Sequence, residues 1–166
     1  PQLDVVLTDL GEASQELPGI VFTDPDRGTV AHEVAHQWFY GTVGNDQYDA
    51  PWPDESFASW SEEQLMPGTY RCDPARPLGR HRGGLTKGLA YSARRPDEYV
   101  DVIYRGGACA LTALARALGP ARFRTLLREE VTRYRDGVVD TAGFIALVRE
   151  ADPQVAARWA ALVGLP

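Results

Sequence analysis

The sequence predicts an α+β fold in a single domain, a short β-sheet at the amino-terminal end followed by a mainly helical part. The β-branched runs at residues 3–8 (L-D-V-V-L-T) and 19–23 (G-I-V-F-T) come first, separated by a Gly- and Pro-containing stretch. Every helical pattern lies after them, and strands followed by helices, rather than alternating with them, mark an α+β chain. A length of 166 residues suffices for one hydrophobic core and is short for two.

After the turn signal Asp24-Pro25-Asp26, Val30, Val34 and Trp38 recur at helical spacing and predict a helix over 29–40, stopped by Gly41 and Gly44. Residues 45–53 read as a loop. Pro53-Asp54 starts a second helix over 54–66, with Phe57, Trp60 and Leu65 on its apolar side and Pro67-Gly68 at its end. Residues 67–95 are rich in Gly, Pro and Arg and carry little periodicity, and irregular stretches of that length are often functional or mobile. An Ala- and Leu-rich helix follows from about Tyr104 to Leu118. A helix over 120–134 aligns Phe123, Leu127 and Val131, and another starts at Asp140-Thr141 and runs through Ala151. Asp152-Pro153 caps the last helix, whose apolar stripe is Val155, Trp159 and Leu162.

Composition excludes several functions. With 17 Lys and Arg against 23 Asp and Glu, the net charge of -6 leaves no broad electrostatic footprint for nucleic acid. Arg71, Arg76, Arg80, Arg82, Arg94 and Arg95 cluster without interleaved stacking aromatics and read as a solvated basic loop. No apolar run reaches the length of a membrane span. Cys72 and Cys109 are the only cysteines, and sequence alone neither pairs them nor assigns a compartment. The opening at Pro1 reads as a piece of a longer protein, and nothing in the residues fixes an oligomeric state.

The informative segment is His32-Glu33-Val34-Ala35-His36, an H-E-x-x-H motif that sets two imidazoles four residues apart on one helix face. A catalytic zinc site needs a third protein ligand and an open position. Glu55, 19 residues after His36 at the start of the next helix, is the candidate, so that His32, His36 and Glu55 would hold one Zn2+ per chain. Glu33, between the two histidines, stands where a general base for an activated water belongs. Glu62 falls two turns beyond Glu55 on the same face and is placed to orient a ligating histidine; an exposed helix carboxylate beside Glu63 is the competing reading. His81 has no ligand spacing to any other residue and reads as solvated.

H-E-V-A-H-Q-W-F at 32–39 followed by D-E-S-F-A-S-W at 54–60 resembles the aminopeptidase N family of gluzincins, whose pattern is H-E-x-x-H-x18-E with the distal Glu in N-E-G-F-A. The resemblance implies a thermolysin-like metallopeptidase catalytic domain, with His32, His36 and Glu55 as ligands and Glu33 as base. Asp54 in place of Asn and Ser56 in place of Gly are expected not to touch the ligands. The family's oxyanion-stabilising tyrosine, in Y-x-K-G, is matched by Tyr104 in Y-R-G-G-A. Its G-A-M-E-N edge strand, whose Glu binds the substrate's free amine, is met by Ala13-Ser14-Gln15-Glu16-Leu17, in which Glu16 is kept. The expected function is a zinc aminopeptidase acting on peptides with a free amino terminus, within a longer chain carrying an amino-terminal β domain. A thermolysin-like endopeptidase and a non-catalytic module keeping a structural zinc remain open alternatives.

Overall fold

A computed structural model describes residues 2–9 and 14–165. Asp4–Leu7 (β1), Gln15–Leu17 (β2) and Ile20–Thr23 (β3) form a sheet in the order β1-β3-β2, with β3 parallel to β1 and antiparallel to β2. The sequence pattern indicates two of these strands; the third, β2, is only a hairpin's width from β3, turning through Pro18 and Gly19 at a φ of 85°. That turn makes β2 a sheet edge and sets Glu16 opposite Val21, on the face that Val21 buries. Ala13 lies outside the described residues.

The helix Arg27–Ala35 (α1) starts where the Asp26 carboxylate accepts from the Gly28 and Thr29 amides at 2.9 and 3.0 Å. It stops well short of Tyr40. Beyond His36 the chain tightens into turns, Gly41 N–H bonding to the His36 carbonyl and the Thr42 hydroxyl to the Gln37 carbonyl, while Tyr40 takes a φ of 131°. The buried face of α1 is also not the expected one. His32, Glu33, Ala35 and His36 are buried, whereas Trp38 is 52% exposed. Val34 and Trp38 instead line an open apolar cavity of about 710 Å3 between α1, the helix Trp52–Leu65 (α2) and the helix Pro120–Tyr134 (α6). Leu65, from the apolar side of its helix, and Leu127 and Val131, which also pack against the core, line the same cavity.

Val43–Gly44 (β4) pairs in parallel with Gly137–Val138 (β5). The irregular stretch contains the short helices Leu89–Ser92 (α3) and Pro96–Tyr99 (α4), and then π-helical turns over Val100–Gly106 run directly into the helix Gly107–Leu118 (α5). Thr141–Ala151 (α7) and Pro153–Val163 (α8) complete the fold. The core lies among α2, α5, α6, α7 and α8, and its centre is aromatic: Trp52 and Phe57 meet Phe144 edge-on at centroid distances of 5.4 Å, and Trp159 packs against Phe144 at 5.9 Å. On α8 the buried stripe is Ala156, Trp159, Ala160 and Val163, one residue round from the expected Val155 and Leu162. No helix among the described residues is long and apolar enough to cross a membrane.

Cys72 and Cys109 form a disulfide with their Cα atoms 5.4 Å apart, tying the irregular stretch to α5. The six arginines of that stretch are exposed, as a solvated basic loop requires, while His81 is half-buried. Arg82 donates to the Ala161 carbonyl, Arg95 stacks on Tyr91 at 4.4 Å, and His81 Nδ1 stands 3.4 Å from Glu98 Oε1 with its side chain 19% exposed.

On α6 the core-facing residues are Phe123, Leu126 and Glu130. Glu130 is 1% exposed, its Oε2 has no hydrogen-bond partner, and burial pushes its carboxyl from 4.5 up to about 8. Between those values the folded chain keeps a proton that the unfolded chain releases, so this residue makes stability fall as pH rises through the window. Glu130→Gln should leave urea stability near pH 5 little changed and raise it near pH 8 by on the order of 3 kcal/mol. Equal pH slopes for parent and variant would show that Glu130 ionises freely in the folded chain.

Candidate metal centre

Packing of α1 against α2 makes the centre. His32 and His36, four residues apart, point from one face of α1, and Glu55 rises to meet them from the first turn of α2. Glu55 Oε2 lies 3.2 Å from His32 Nε2 and 3.7 Å from His36 Nε2, and one donor atom from each of the three residues falls within 4.8 Å of the others. Donors bound tetrahedrally to zinc at about 2.0–2.1 Å sit about 3.4 Å apart, so this set fits the ion and leaves its fourth side open.

Both imidazoles are held from behind. His36 Nδ1 lies 2.5 Å from Asp54 Oδ1, both side chains being 1% exposed, and Gln47 Nε2 donates to Asp54 Oδ2. His32 Nδ1 lies 3.5 Å from Glu62 Oε2. A carboxylate on each Nδ1 holds a proton there and turns each Nε2 toward Glu55, the orientation in which its lone pair would meet an ion held between them. The expectation that Asp54 stays clear of the ligands is therefore wrong: the first turn of α2 lifts Asp54 and Glu55 together onto α1. Its signal in the sequence is an acceptor directly beside the distal Glu. Ser56 does stay clear, donating to the Ile103 carbonyl at 2.7 Å. It fits because a Cβ on Gly107 would fall 1.9 Å from its Oγ.

Glu33 is 6% exposed, and its Oε2 has no hydrogen-bond partner. Burial pushes its carboxyl up to about 7 against the pull of His32 and His36. Glu16, reaching in from the edge strand, places a carboxylate oxygen within 4.8 Å of ligand atoms on Glu33 and His36, and burial raises its carboxyl too. Tyr104 sits in the π-helical turns, an irregularity common at functional sites, with its ring stacked on His32 at 5.6 Å. Burial, with Glu55 nearby, raises its phenol far above the usual range.

Two tyrosines join the site that the sequence did not mark: Tyr99, edge-on to Tyr104 at 5.7 Å, and Tyr70, whose hydroxyl donates to Glu62 Oε2. Together Glu16, Glu33, Glu55, Glu62, Tyr70 and Tyr104 help to line a cavity of about 330 Å3. Burial alone would lower His32, yet hydrogen bonds to Glu55 and Glu62 push it up to about 9. Glu55 is pushed up by burial but held low on balance by its hydrogen bond to His32 and the nearby imidazoles. The arrangement stabilises positive charge between the imidazoles and Glu55, as a cation-binding site must.

Residues 25–77, which include His32, Glu33, His36 and Glu55, match the Peptidase family M1 domain. The chain is 31% identical over 137 residues to Aminopeptidase M1-B of Oryza sativa subsp. japonica, covering 74% of this chain and 15% of that protein. It is 31% identical over 109 residues to Leucyl aminopeptidase of Saccharolobus solfataricus, covering 57% of this chain and 14% of that one. The chain thus spans about a seventh of the length of these curated relatives. Among solved structures, an M1 zinc metallopeptidase of Deinococcus radiodurans aligns with a TM-score of 0.71 at 21% identity, over 97% of this chain and 39% of that one. Leukotriene A4 hydrolase of Saccharomyces cerevisiae aligns with a TM-score of 0.73 at 20% identity, over 99% of this chain and 31% of that one. At such identities the structural likeness is one of fold, a small sheet leading into a helical part. With the motif and the sequence relatives beside it, the chain belongs to peptidase family M1, the aminopeptidase N family of zinc metallopeptidases.

Proposed function

We propose that residues 1–166 form the catalytic domain of a zinc-dependent aminopeptidase that removes amino-terminal residues from peptides. The observation that carries this reading is the meeting of His32, His36 and Glu55 beside a carboxylate with an unpartnered oxygen, Glu33, and an edge-strand carboxylate, Glu16. His32, His36 and Glu55 would hold one zinc ion. When bound, zinc supplies Lewis acidity that activates a water and polarises the scissile carbonyl.

Glu33 then takes the proton of the attacking water on its free oxygen and delivers it to the leaving amine. Its burial disfavours the charged form and so strengthens this carboxylate as a base. Tyr104, kept protonated by its burial, donates to the oxygen that gains negative charge in the transition state. Glu16 pairs with the substrate's α-ammonium group, so that only the first peptide bond reaches the centre. An endopeptidase would leave Glu16 idle, and a purely structural zinc site would leave the buried Glu33 oxygen without a task.

Protein purified in the full chain without added metal should contain about one equivalent of zinc, and His36→Ala should lose it; elemental analysis decides, and full occupancy in the variant would remove His36 from the ligand set. Glu33→Gln should retain the metal while turnover falls by roughly 10²–10⁴-fold, because shape is kept and the base is lost. Turnover within about tenfold of the parent would assign proton transfer to another group.

For Glu16 the comparison is between free-amine and acetylated substrates. Loss of a desolvated charge pair costs about 2–5 kcal/mol, so Glu16→Ala should lower kcat/KM on free-amine peptides by tens- to thousands-fold and leave acetylated ones nearly unaffected. Equal losses on both substrates would mean that Glu16 does not read the amine.

A further inference from the structure

We propose that Tyr70 is a positioning residue of the metal centre, acting on His32 through Glu62, and that the Cys72–Cys109 disulfide is the strut that holds it in place. The inference rests on the zinc site proposed above. Tyr70 lies in the irregular stretch after α2, where nothing in the sequence singles it out. Its hydroxyl donates to Glu62 Oε2 at 2.6 Å, and that same oxygen stands 3.5 Å from His32 Nδ1. Glu62 Oε1 lies over the first turn of α1, where a Cβ on Gly28 would come within 2.8 Å of it.

The chemistry of the three groups fixes their order. An ionised carboxylate only accepts, so the phenol must donate, and a charge-assisted O–H···O bond is the stronger of the two contacts on Oε2. It pins a flexible side chain that has several torsions free. With Oε2 fixed, the acceptor for His32 Nδ1–H is fixed as well, and Nε2 presents its lone pair to the side where Glu55 waits. Without the phenol, Glu62 keeps the contact but not the orientation.

Tyr70 is itself held from two directions. Glu63 clamps its backbone, with the Gly68 and Tyr70 amides each donating to the Glu63 carboxylate at 2.8 Å. Two residues on, Cys72 is bonded to Cys109, a 4% exposed residue of α5, the helix that continues from the turns carrying Tyr104. The phenol therefore reaches the cavity from a loop moored to α2 by Glu63 and to α5 by the covalent bond.

The test is a zinc competition titration against a chromogenic chelator on the full chain, with the melting temperature of the metal-free protein as a second readout. Tyr70→Phe removes one hydroxyl and should weaken zinc binding about tenfold, in the range seen when groups supporting metal ligands are lost, while the metal-free melting temperature barely moves. Glu62→Gln should weaken it comparably, and the double variant should be no weaker than the worse single one, since both act on one relay. Cys72→Ala with Cys109→Ala should reproduce the Tyr70→Phe loss in zinc affinity, and adding Tyr70→Phe to that pair should change little further.

A shift below about threefold for Tyr70→Phe, or losses that add in the Tyr70 and Glu62 double variant, would overturn the assignment. An unchanged zinc affinity in the cysteine pair would remove the disulfide from it. A parent that binds no zinc at all would instead bring down the metal-centre reading, and this inference with it.

Discussion

Carboxylates packed against two buried imidazoles are the constraint on which the rest of this structure turns. Asp54, Glu55 and Glu62 contact the rings, and Glu33 and Glu16 stand beside them, with both imidazoles, Asp54, Glu33 and Glu62 buried. Such a cluster is tolerable only if positive charge sits within it, and two rings alone supply it only by taking up protons. A divalent ion settles the matter better. The fold around it is arranged accordingly: the edge strand brings Glu16, α1 and its end His32, Glu33 and His36, α2 Asp54, Glu55 and Glu62, and the π-helical turns Tyr104, all to a small volume.

This constraint also explains where the sequence pattern misleads. A helix is usually read by its apolar stripe, and on α1 that stripe is Val30, Val34 and Trp38. Because the site claims the opposite face, the residues that bury include both histidines and a glutamate, and Val34 and Trp38 face an open cavity. Helices away from the site are more readily legible: the Asp152-Pro153 start of α8 is where the sequence puts it, and Trp159 is buried as expected, with its neighbours one position round the helix. A stripe fixed only by period 3.6 carries that much rotational slack. Glu130 is a different kind of miss, a carboxylate in a core position that no periodicity argument admits.

Within the site, what lies close in sequence or on a regular helix is legible, and what arrives through loops is not. Spacing brings His32 and His36 together, and a helix start carrying Glu places Glu55. Glu62 is reachable by the same helical arithmetic. Tyr70 is not, because its position depends on a disulfide and on a backbone clamp that have no period. Asp54 is illegible for another reason: comparison with the family's Asn invites a reading of its identity, whereas its adjacency to Glu55 carries the physical information.

Trp52 opens α2 three positions before Glu55, and its indole N–H donates to the Thr141 hydroxyl at the start of α7 while its ring fills the aromatic centre of the core. The glutamate at the metal site is thus within one helical turn of the least exchangeable part of the molecule. Local fraying at the end of α2 cannot free it, because the turn that carries it is part of the central packing. Opening of that turn and global unfolding therefore belong to one cooperative unit, and amide protons in the first turns of α2 and α7 should exchange through the same opening. An ion held by Glu55 would therefore stabilise the helical half of the chain, and that half the ion, by linkage through α2.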